Sequence, residues 1–87
     1  MYVIMVYDIG EERVTRVLKT GRKYLTWVQN SVFEGELTEA NLIRLKDELV
    51  EIIDKENDSV TFYILRTTAY LKKDTLGTIK GEPTKII

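Results

Sequence analysis

The run Tyr2-Val3-Ile4-Met5-Val6-Tyr7, closed by Asp8 and turned by Gly10, decides how the rest of this chain is read. Six apolar residues bounded by a turn signal make a buried strand. Tyr2, Ile4 and Val6 point one way, and Val3, Met5 and Tyr7 the other. A strand apolar on both faces needs cover on both. A carboxylate at its end sits where the sheet meets solvent, and hard metal ions are held at such places. Asp8 is therefore a candidate metal ligand. The bland reading makes it an acid that caps the next helix.

That helix is expected from Glu11 to about Tyr24. Val14, Val17, Leu18 and Gly21 fall on one face, Glu11 and Glu12 suit its positive end, and Arg22 and Lys23 its negative end. Two short β-rich runs follow, Leu25–Gln29 and Val32–Glu36, joined through Asn30-Ser31 as a tight turn. A second helix is expected from about Glu39 to Lys55, with Thr38 as its N-cap and Leu42, Leu45, Leu49 and Ile52 as its stripe. On it, Glu51 and Lys55 form an i, i+4 pair. Val60–Leu65 reads as the fourth strand, and Leu76–Lys80 as a short fifth.

The order β-α-β-β-α-β is the ferredoxin-like α+β pattern: a four-stranded antiparallel sheet with both helices on one face. The other face is left apolar and open. A second copy of the same sheet is the economical cover, so the sequence predicts a face-to-face homodimer, with the fifth strand extending the partner's sheet edge. Residues 1–81 read as one domain and residues 82–87 as a mobile C-terminal tail.

At 87 residues the chain has room for one modest core. It has no cysteine, so neither a disulfide framework nor a thiolate metal site is available, which suits a cytoplasmic protein. It has no histidine either, which removes the commonest general base and transition-metal ligand. Any metal must be held by oxygen, which points to magnesium, manganese or calcium. No apolar run approaches a membrane span, and the N-terminus lacks the basic region and cleavage site of a secretory signal.

The net charge of −1 excludes a uniformly basic nucleic-acid binder. The charge is uneven, however. Residues 1–33 carry five Lys/Arg against three Asp/Glu, residues 34–60 three against nine, and residues 61–87 five against two. Arg13, Arg16, Lys19 and Lys23 lie on the first helix, as phosphate contacts or as a solvated face. Trp27 and Phe33 flank the Asn30-Ser31 turn, as base-stacking aromatics or as core. No Gly-rich phosphate loop or nucleophile triad is present.

The Tyr7-Asp8-Ile9 strand end, Arg13 and Arg16, and then Val28-Gln29-Asn30-Ser31-Val32-Phe33-Glu34-Gly35 resemble the CRISPR-associated protein 2 family, the small adaptation protein of prokaryotic immunity. Asp58-Ser59-Val60 and Gly77 fit the same pattern, and the resemblance covers nearly the whole chain. It implies a ferredoxin-like homodimer in which each protomer contributes Asp8 as the metal ligand, with Mg2+ or Mn2+ as the ion. It implies a metal-dependent endonuclease acting on single-stranded RNA or double-stranded DNA, with Arg13 and Arg16 as nucleic-acid contacts; Lys19, on the same helix, and Ser31 are the further candidate contacts. It also implies a role beside the CRISPR-associated protein 1 integrase, in which a non-catalytic scaffold holding spacer DNA is the alternative. A toxin-type ribonuclease of related fold and a small-molecule-sensing dimer are the other readings.

Overall fold

The first strand lies in the interior of the sheet, paired on both edges. In a computed structural model, described over residues 1–78, β1 (Tyr2–Asp8) lies between β3 (Val32–Glu36) and β4 (Ser59–Leu65). β2 (Thr26–Gln29) completes the order β2-β3-β1-β4, and every neighbouring pair is antiparallel. The register sets Tyr2 opposite Glu36 and Leu65, and Asp8 opposite Ser59.

α1 (Glu11–Tyr24) and α2 (Glu39–Val50) supply the other layer. Val3, Met5 and Tyr7 share one core cluster with Val17, Leu25, Phe33, Leu37, Leu42, Leu45 and Leu49. Gly21 lets α1 approach β3 closely: a Cβ there would come 2.8 Å from the Phe33 ring. Thr38 caps α2 as expected, its hydroxyl accepting from the Asn41 amide at 3.1 Å. The Asn30-Ser31 turn joins β2 to β3, with Asn30 in the left-handed region at φ 38° and a bulge between Trp27 and Gln29.

Two expectations are corrected. α2 stops at Val50 rather than Lys55, so Glu51 and Lys55 are not a helical pair. The Ile52 and Ile53 amides both turn back to the Leu49 carbonyl. The Asp54 carboxylate then accepts from the Glu56 amide and the Asn57 side chain, a local bond set that competes with the helix. The first helix is not capped by Asp8 either. Gly10 occupies the N-cap position without a side-chain bond.

Leu76–Thr78, the described part of the expected fifth strand, carry no ladder within the protomer. The rest of that strand, and the expected tail at 82–87, lie outside the described residues. The sheet face away from the helices keeps exposed apolar surface, with Val6 37% and Tyr63 57% exposed. On the same face Lys73 reaches Glu34 at 2.8 and 2.9 Å, and Tyr2 Oη donates to Glu34 at 3.1 Å.

Candidate metal and nucleic-acid site

Asp8 ends β1 on the parity of Tyr2, Ile4 and Val6, so its side chain leaves the sheet on the open face. It is exposed, and among the described residues it takes part in no side-chain hydrogen bond or ion pair. The Asn30-Ser31 turn comes to the same end of the sheet: the Tyr7 amide donates to the Ser31 carbonyl at 3.0 Å, and Tyr7 Oη to the Asn30 carbonyl at 3.0 Å. Burial raises the Tyr7 phenol above its ordinary range, so it donates rather than ionises. Asp8, Ser31 and Ser59 thus gather at one end of the sheet.

No group of three or more acidic residues able to hold a metal occurs among the described residues. One Asp8 is a poor magnesium site. Two copies brought together would supply the one or two carboxylates that magnesium uses beside water and phosphate oxygens. The oxygen-only donor set and the free carboxylate fit such an ion.

Arg13 is held internally. Its Nε and Nη2 donate to Asp58 at 2.5 and 2.9 Å, and its Nη1 to Glu12 at 2.6 Å. The Asp58 side chain is fully buried and also accepts from the Gly10 amide at 2.8 Å and the Asp54 amide at 2.9 Å. The Arg13 hydrogen bond holds the Asp58 carboxyl well below the usual carboxylate range, against the opposing effect of burial. The same bond raises the Arg13 guanidinium above its ordinary value.

Arg16 and Lys19 are elsewhere. With Thr20 they line a shallow groove whose far wall is Glu48, Glu51 and Ile52 of the α2 region. Both are exposed, on the helix layer rather than the Asp8 face. Lys23 and Tyr24 bond to Glu48 and tie the two helices together. Trp27 is partly buried against the core, donates to the Asn30 carbonyl at 2.9 Å and lies 5.9 Å from the Arg22 guanidinium, and Phe33 is fully buried. The structure therefore brings Asp8 and Ser31 to one end of the sheet, engages Arg13 just behind them and sets Arg16 and Lys19 apart. Sequence reasoning did not find Asp58 as the partner of Arg13. The signal was its place immediately before β4, where a buried acid can reach the start of α1.

Residues 1–73 match the family described as CRISPR associated protein Cas2. The chain belongs to the Cas2 family. It is 54% identical over its full length to the CRISPR-associated endoribonuclease Cas2 of Dictyoglomus turgidum, and covers 100% of that protein. It is 52% identical to the Thermotoga maritima protein of the same name, over 94% of each chain. A solved Cas2 crystal structure superposes with a TM-score of 0.86 at 46% identity, over 100% of this chain and 97% of the other. Streptococcus pyogenes Cas2 superposes at 0.78 with 37% identity, over 88% and 100%. The family so matched is the one that the Tyr7-Asp8-Ile9 and Val28–Gly35 segments resemble. No described helix is long and apolar enough to cross a membrane.

Proposed function

We propose that this Cas2-family chain acts in CRISPR spacer acquisition as a homodimeric, metal-dependent endonuclease that hydrolyses phosphodiesters in single-stranded RNA or double-stranded DNA. The observation that carries the reading is Asp8: an exposed carboxylate with no described internal partner, at the end of an interior strand, on the sheet face that keeps apolar surface uncovered. The endoribonuclease names of the relatives support it. Pairing two copies through that face would bring two Asp8 side chains to one ion, Mg2+ or Mn2+. Such an ion supplies charge neutralisation at the phosphate and an acidified water. The protein's own part is to hold the carboxylates, to position the strand end through the Ser31 and Ser59 backbone, and to attract phosphate through Arg16 and Lys19.

A second reading is a scaffold that holds DNA beside the CRISPR-associated protein 1 integrase without cutting. The separation of Arg16 and Lys19 from Asp8 favours it, because phosphate contact on the helix layer requires no chemistry at the strand end. Cleavage of labelled RNA and DNA by wild type and Asp8→Asn, with magnesium or with EDTA, separates the two. The nuclease reading expects metal-dependent cutting that falls at least 100-fold in the variant. An absence of cutting by wild type across metals and pH would leave the scaffold.

A further inference from the structure

Asp8 is followed by only two residues before α1 begins, and both sides of that short turn are gripped from a distance. On one side the β1–β4 ladder pairs Asp8 with Ser59. On the other, Asp58, the residue just before Ser59, takes the Gly10 amide at 2.8 Å. Arg13, one turn into the helix, holds the same carboxylate through two of its nitrogens, and the Asp54 amide fixes it from below at 2.9 Å. One buried carboxylate thus fastens the turn after Asp8, the first turn of α1 and the loop before β4. The fit is close: a Cβ at Gly10 would run into the Arg13 guanidinium.

The clamp comes from outside the helix, because Gly10, the N-cap residue, has no side chain with which to make a cap bond of its own. What the clamp fixes is the direction in which the chain leaves Asp8. A metal ligand must be held to within about 0.5 Å of its productive place, and groups bonded directly to a ligand typically carry 10–100-fold in affinity or activity, so a clamp on the backbone just beyond it is expected at the lower end of that range. We infer that Asp58, clamped by Arg13, is a positioning residue for Asp8: it fixes the Asp8–Gly10 turn so that the strand-end carboxylate is presented to a divalent cation in one place. The inference rests on the reading of Asp8 as a metal ligand. It gives Arg13 a role in the site that requires no contact with nucleic acid.

The test is Mn2+ binding by the full-length protein, followed through the electron paramagnetic resonance signal of the free ion. The proteins compared are wild type, Asp8→Asn, Asp58→Asn, Arg13→Gln and Gly21→Ala. The last loosens α1 at its far end and serves as a control for lost stability. Asp8→Asn is expected to abolish the site. Asp58→Asn and Arg13→Gln are each expected to weaken binding about tenfold or more, while Gly21→Ala binds as wild type does. In cleavage assays the same two variants are expected to lower kcat and leave KM for the nucleic acid within twofold. If Asp58→Asn does not fold, Arg13→Gln decides alone. Wild-type affinity in Arg13→Gln and in every folded Asp58 variant overturns the positioning role, as does an equal loss in Gly21→Ala. Wild-type affinity in Asp8→Asn overturns instead the reading of Asp8 as the ligand.

Discussion

At the residue scale, how much of the site was legible depended on how far each side chain's partners lie along the chain. The place of Asp8 at a strand end was legible because the apolar run beside it sets that position, a purely local inference. Asp58 was not, because its decisive partners, Gly10 and Arg13, are 48 and 45 residues away. Glu34 was hidden for the same reason: its ion pair is with Lys73, and its neighbour Tyr2 comes from another strand. Burial, followed by the Glu34 charge and hydrogen bond, pushes the Tyr2 phenol well above its ordinary range. Gly21 was read as part of an apolar face, but its contact with Phe33 makes it a packing requirement. Gly21→Ala should therefore destabilise the fold by about 1–3 kcal/mol, although alanine favours helix. Urea unfolding checks this, and a midpoint equal to or above wild type would show that the Phe33 ring yields without cost.

At the element scale, helix and strand identities followed from periodicity, while ends were set by local side-chain bonds. α1 runs over the expected span because its apolar face and its terminal charges agree. α2 is shorter than its stripe because Asp54 and Asp58 both capture backbone amides beyond Val50. The join between α1 and the start of β4 carries a pH dependence of definite sign. Asp58 is depressed in the folded state, so its contribution is full above the ordinary carboxylate range, about pH 4, and is lost as the pH falls below it. Asp54 and Glu48 are lowered too, by the Asn57 side chain and by Lys23 respectively, and add in the same direction. Wild type should thus lose more stability between pH 7 and pH 3 than Asp58→Asn, which starts lower and falls less. Urea midpoints at the two pH values measure the difference, and parallel slopes would mean that the clamp is not coupled to protonation.

At the scale of the whole molecule, the topology was legible because the element order β-α-β-β-α-β matches the ferredoxin-like pattern, and the sheet order β2-β3-β1-β4 follows it. The fifth strand that the sequence also predicts has no ladder over its described part, Leu76–Thr78, and Lys73 just before it meets the sheet through its ion pair with Glu34. On the proposed dimer, Val6 and Tyr63 lie at the joint. Val6→Asp combined with Tyr63→Asp should convert a particle of twice the 10.1 kDa chain mass into a single chain in sedimentation. An unchanged particle would place the joint elsewhere. The interior position of β1 also has a consequence for biosynthesis. β1 leaves the ribosome well before the strands it pairs with, since Tyr2 must wait for both Glu36 and Leu65. Until the last of β4 emerges, the most apolar segment of the nascent chain has an unpaired edge and no closed core. Folding is therefore close to all-or-none with respect to translation, and a stall before residue 65 exposes the segment that nascent-chain chaperones bind and that aggregation would use.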